Sequence, residues 1–144
     1  MQYTIRDRYE KYTIFSMEAD SFKLAVETAL KRHINLRQAD LSRVDLSGMN
    51  LSSASLAQAD LSESNLSRTN LYAADLKRSN LTHADLSGSN LYAADLTGAN
   101  LSNVNFTKSE LSGSDLIGAN ITGADFTGAE MLGARLPTIT KLAA

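Results

Sequence analysis

The sequence predicts a mainly β solenoid, in which the chain turns a corner every five residues and closes a square coil every twenty. Three observations carry this reading. "NLYAADL" stands at residues 70–76 and again at 90–96. From Ile34 the chain reads INLRQ ADLSR VDLSG MNLSS ASLAQ and continues in that register to ARLPT without an insertion, giving 21 consecutive pentads whose middle residue is Leu in 17. All eight glycines (48, 88, 98, 113, 118, 123, 128 and 133) lie two positions after a middle residue.

No regular element tolerates this spacing. On a helix, leucines five apart would drift by about 140° around the cylinder, and on a flat strand they would alternate between faces. A corner after each pentad removes the conflict, because every Leu and the residue two before it then point inward. That earlier residue is Ala, Ser or Thr in 17 of 21 pentads, and the residue between is Asp or Asn in 17 of 21. The exceptions at the middle position are Phe106, Ile121, Phe126 and Met131. Four pentads complete a coil, so Tyr72 lies under Tyr92 and Asp75 under Asp95. The glycines fall at the third residue of a four-residue turn, where a type II turn requires positive φ. Gly113 to Gly133 obey this in five successive pentads, whereas Gln, Arg, Ser or Glu at earlier corners leave their turn type open.

The unbroken pentads resemble the pentapeptide-repeat family over residues 34–138. The resemblance implies a right-handed quadrilateral β-helix of about five coils. Such a column exposes unpaired backbone and a slab of leucine at each end, so it needs caps. Residues 1–33 suit that role: "YTIRDR" and "YTIFSM" read as a hairpin around "YEK". "DSFKLAVETALKRH" reads as an amphipathic helix with Asp20 or Ser21 as N-cap, an apolar stripe of Phe22, Val26, Ala29 and Leu30, and Lys31 and Arg32 at its negative end. A cap of this kind resembles some phage-type and bacterial members of the family. The tail, residues 139–144, is short. Phe126, Met131, Leu132, Ile139 and Leu142 concentrate apolar surface there, which points to a homodimer through the C-terminal end. The alternative is a tail folded over the last coil, with Pro137 stopping the ladder.

Composition narrows function by exclusion. A formal net charge of -2 gives no general attraction to nucleic acid or anionic membrane, and the absence of cysteine removes disulfides, thiolate nucleophiles and thiolate metal ligands. The first residues lack a signal-peptide pattern and no stretch approaches a membrane span, so the expected location is cytoplasmic. The two histidines, His33 and His83, lie about ten pentads apart and suggest no metal or catalytic pair. Serines 64, 79, 89, 109 and 114 occupy inward positions and are expected to bond the backbone. Neither an enzyme nor a cofactor is expected. What remains is surface, on which the stacked pair Tyr72 and Tyr92 is the candidate interaction site, since exposed Tyr is enriched in binding hot spots. The expected function is a non-catalytic protein-interaction or scaffold role, with an unidentified protein partner. The resemblance also implies an alternative: a DNA mimic that binds a type II topoisomerase such as DNA gyrase. Against it, residues 34–144 hold 11 acidic and 8 basic side chains, and no loop interrupts the coils.

Overall fold

The computed structural model describes residues 1–138. Its regular elements all lie before the pentads: strand β1 (Gln2–Arg6), strand β2 (Thr13–Glu18) and helix α1 (Phe22–Lys31). β1 and β2 pair antiparallel, with Gln2 opposite Glu18 and Ile5 opposite Phe15. Beyond them, each side of the coil is so short that only its Asp/Asn-position residue bridges the next coil. These parallel bridges run from Asp40–Asp60 to Asp115–Arg135, and every one joins residues twenty apart.

The pentad 59–63 explains why five residues suffice, because each amide has its own partner. Asp60 N–H donates down to Ala39 O (2.9 Å), while Leu61 N–H and Glu63 N–H donate up to Asn80 O (2.7 Å) and Thr82 O (2.9 Å). Ala59 N–H closes the corner on Leu56 O (3.0 Å). The fifth, Ser62 N–H, has no backbone acceptor and is taken by the Asp60 carboxylate (3.0 Å). A side-chain oxygen two residues upstream is what Asp and Asn supply best. The prevalence of Asp and Asn at this position is therefore a hydrogen-bonding requirement.

The corners are more uniform than the sequence suggests. Positive φ occurs at every fifth residue from Gln38 to Gly133, at 63 to 72° for the eight glycines and at 51 to 62° for twelve other residues, Ala73, Ala93 and His83 among them. The turn that was open for the earlier coils is thus the same left-handed corner, held by its backbone bonds despite a cost of about 1 kcal/mol or more per side chain.

Inside, the middle leucines from Leu36 to Leu116 are fully buried, and Phe106 stacks under Phe126 with ring centroids 5.0 Å apart. The inward hydroxyls of Ser64, Thr69, Ser79, Ser89, Ser109 and Ser114 each donate to the carbonyl three residues earlier, at 2.6 to 2.7 Å. A hydroxyl is tolerated in the core because its own turn satisfies it.

At the lower end, Arg6–Arg8 lies antiparallel on the first coil: Asp40 N–H donates to Arg6 O and Arg8 N–H to Gln38 O, both 2.7 Å. Ile5, Phe15, Val26 and Ala29 join the leucine core. Ser21 caps α1, its Oγ accepting from Leu24 N–H (3.1 Å). The helix stops in a Schellman arrangement, with His33 N–H on Leu30 O and Ile34 N–H on Ala29 O (both 2.9 Å) and His33 left-handed at φ 55°. His33 thereby turns the chain into the first pentad.

Inward and corner positions should respond oppositely to truncation. Leu81→Ala should cost about 2 to 5 kcal/mol in denaturant unfolding, whereas Ala73→Gly, relieving a left-handed alanine, should gain about 1 kcal/mol. A loss from Ala73→Gly, or none from Leu81→Ala, would contradict the inward and corner assignments.

Candidate interaction surfaces

The tyrosines stand on the corner that follows the fourth side of each coil. Tyr72 and Tyr92 are nearly half exposed (47% each), their rings parallel within 3° and their centroids 5.9 Å apart. The twenty-residue repeat fixes this pairing, and the offset stack costs neither ring its outer face. Each tyrosine amide donates to the Asn side chain two residues before it, Asn70 or Asn90 (3.1 and 3.0 Å). Those amides form a ladder of their own, Asn90 Nδ2 donating to Asn70 Oδ1 (3.4 Å) and Asn70 Nδ2 to Asn50 Oδ1 (3.2 Å).

Beside the rings the corner residues run Ser53, Ala73, Ala93, Gly113, Gly133, with no long side chain. The other corners are rougher: Arg78 lies across Gly98 and Lys108 across Gly128, where an added Cβ would meet their Cγ atoms at 3.3 and 3.4 Å. A smooth ridge carrying two aromatic rings therefore distinguishes this corner.

Leu132, 86% exposed, lies on the same corner in register with Tyr72 and Tyr92, so two residue sets that the sequence analysis kept apart share one edge. Phe126 and Met131 are half-buried at the top of the column. Around them the amides of Ile121, Phe126 and Met131 and the carbonyls of Ala119, Ala124 and Ala129 have no backbone partner among the described residues. Ile139 and Leu142 lie outside the described residues, as does the tail itself.

Part of the charge on the faces is paired. Lys77 lies between Asp75 and Asp95 (4.0 and 3.4 Å), Arg43 meets Glu63 (3.2 Å) and Arg135 meets Asp115 (2.8 Å). Among the described residues no three His, Asp or Glu side chains gather to hold a metal, and no helix is long and apolar enough to cross a membrane. Several carboxylates are held below their ordinary range. The Ser47 and Thr127 hydroxyls and amides stabilise ionised Asp45 and Asp125, and those of Ser112 do so for Glu110. Partial burial works against ionised Asp40 and Asp95, but bonds from Ser42 and Thr97 and the nearby Lys11 and Lys77 outweigh it.

Pentapeptide repeats, as a family signature in eight copies, match residues 32–68, 69–107 and 105–137. The chain belongs to the pentapeptide-repeat family. Among solved structures it is similar to HetL, a pentapeptide repeat protein involved in heterocyst differentiation regulation in the cyanobacterium Nostoc, at 35% identity and a TM-score of 0.68 over 73% of this chain. The match spans 47% of HetL, about half its length. A second Nostoc pentapeptide repeat protein matches 81% of this chain and 88% of its own at 24% identity and a TM-score of 0.54, a likeness of fold alone. QnrB1, a plasmid-mediated fluoroquinolone resistance protein, matches 66% of this chain and 59% of its own at 26% identity, but with a TM-score of 0.33 that carries no argument. A search of curated proteins finds no match. Family and neighbours make the fold a right-handed β-helix.

One feature of this repeat protein escapes the sequence reading: a cleft between α1 and the first coil, bordered by Lys23, Leu30 and Asn50. A count could have flagged it, since one hairpin strand cannot cover four sides.

The depressed carboxylates set an acid limit. Their stabilisation is full above the ordinary values of 3.8 for Asp and 4.5 for Glu and is lost as pH falls through the lower folded values. The Tm should stay level from about pH 7 to 5 and drop below about pH 4. Replacing Asp40, Asp95 and Asp125 together by Asn, which keeps the acceptor without the titration, should make that drop shallower. An unchanged acid profile would contradict this origin.

Proposed function

We propose that this protein is a non-catalytic interaction protein that presents a rigid column to a protein partner, with the ridge of Tyr72 and Tyr92 as its contact. The observation that carries this reading is the exposed, parallel pair of rings on the one corner lined throughout by Ser, Ala and Gly. Rigid aromatic surface loses little conformational freedom on binding, and a low-relief ridge lets a partner approach both rings. In the same reading, residues 1–33 act as a cap on the 34–138 column, the protein works in the cytoplasm, and it needs neither cofactor nor nucleic acid. Phe126, Met131 and Leu132 form a homodimer contact at the C-terminal end, joined by Ile139 and Leu142 of the tail. A two-fold axis there sets the same apolar patch against itself.

The DNA-mimic alternative requires rows of unpaired acid. Lys77, Arg43 and Arg135 interrupt those rows, which favours the interaction reading.

Recovery of partners from the native host decides between the two readings. Tyr72→Ala with Tyr92→Ala should lose the partner while keeping the parent's circular dichroism, and a recovered type II topoisomerase would support the mimic instead. For the dimer, light scattering of the parent at tens of micromolar should give twice the chain mass, and Met131→Lys with Leu132→Lys should give folded monomers. A monomeric parent would remove the dimer from this proposal.

A further inference from the structure

The lower end of the column is covered unevenly. Arg6–Arg8 occupies the side of the first coil at Asp40, and Lys23 Nζ donates to Ser47 O on the next side. On the side after that, the N–H and C=O of Asn50 and the C=O of Ser52 have no hydrogen-bond partner among the described residues, nor, past the corner at Ser53, do the N–H and C=O of Ser55. This bare edge faces a cleft of about 820 Å³ between α1 and the coil. Leu30, Ile34 and Met49 supply apolar lining, and the volume lies in the range of binding pockets.

We infer that this cleft is a peptide-binding site that accepts an extended segment of a partner protein as an added β-strand on the Asn50 side of the first coil. The chain itself demonstrates the pairing: Arg6 O accepts Asp40 N–H and Arg8 N–H donates to Gln38 O in an antiparallel bridge, and on the Asn50 side the counterparts, Asn50 N–H and Gly48 O, have no partner among the described residues. In strand addition, main-chain bonds supply affinity and side-chain contacts on alternate residues supply choice. One row of the incoming residues meets Leu30, Ile34 and Met49 and is therefore apolar. The charge in the cleft selects the rest. Lys23 and Lys31 face a single acid, Glu27, which already pairs with Lys31 (2.6 Å). Lys23 already donates to Ser47 O and acts on Asp45 outside the cleft, so an acidic residue in the incoming strand joins that group instead of meeting a free cation. The occupant is thus an extended segment of alternating apolar and acidic residues. The site lies at the foot of the tyrosine corner, whose first residue is Ser53, but it uses the free lower edge and neither ring, so it stands or falls without the ridge.

Amide hydrogen exchange on the full chain tests this, with the acetylated and amidated hexapeptide Asp-Val-Asp-Val-Asp-Val as probe. The peptide should slow exchange at Asn50 by at least about tenfold at saturation, leaving the amides of Tyr72 and Tyr92 unchanged. N-methylation of alternate peptide amides, or Lys in place of Asp, should weaken binding by roughly tenfold or more. Asn50→Pro should lose the peptide with the free donor, and it should also lower the Tm, because the Oδ1 that accepts from Ser52 N–H and Asn70 Nδ2 goes with it. Should Asn50→Pro unfold the protein, the N-methylated and lysine peptides still decide. Three results overturn the inference: no slowing at Asn50, equal binding of the N-methylated peptide, or slowing that rises with protein concentration alone, which would make the occupant a second copy.

Discussion

The structure depends on how the five amides of a pentad find acceptors. Two donate to the coil above, one to the coil below, one to the preceding corner, and one to the side chain of the Asp/Asn-position residue, as residues 59 to 63 illustrate. A side of the coil must bend before a second bridging residue fits, and it bends where the tight turn closes the amide of the inward small residue. Side length, corner and composition are thus one requirement. The leucines fill the interior that this backbone encloses, and their burial supplies the main favourable term.

The same requirement explains which positions vary. A corner residue must adopt positive φ but needs no particular side chain, so Gln, Arg, Ser, Glu, Ala, His, Asn and Lys all occur there. Each pays conformational strain that glycine would avoid, and the ladder bonds on both sides hold it in place. Evolution can therefore write chemistry on the corners without disturbing the column. The corner bearing Tyr72 and Tyr92 differs by having smooth neighbours, which is why the two rings stand clear of the surface instead of among long polar chains.

Much of this was legible in the sequence. The coil length followed from the in-register leucines, the inward serines from their position, and α1 from Ser21 and the stripe ending at Leu30. Three features were not. The left-handed corners at Ala73 and Ala93 were hidden because propensity disfavours what the ladder enforces. In the sequence His33 suggests no metal or catalytic pair and nothing more, although it sits where a helix stops and needs a residue of positive φ. The cleft beside Asn50 depends on the angle at which α1 crosses the first coil, and no local pattern encodes that angle. Leu132 differs in kind, since its number exceeds those of Tyr72 and Tyr92 by multiples of twenty and the register itself puts it on their corner.

The column also has a direction, and its two edges differ chemically. At the lower edge each side offers the N–H and C=O of its Asp/Asn-position residue, together with the C=O two residues on. At the upper edge it offers the C=O of the small residue and the N–H groups of the middle and corner residues. The carbonyl of Ala124 and the amide of Phe126 flank Asp125, whose own N–H turns down to Val104. A two-fold axis can bring such an amide against the equivalent carbonyl of a second copy, so the upper edge is complementary to itself. The corner amides of Gly123, Gly128 and Gly133 are then in excess, and water or acceptors from the tail must satisfy them. At the lower edge an extended segment is the better match, as Arg6–Arg8 illustrates on the Asp40 side. Backbone polarity, fixed by the direction of winding, thus gives the two ends different complementarity, which the proposed homodimer and the proposed strand addition each use.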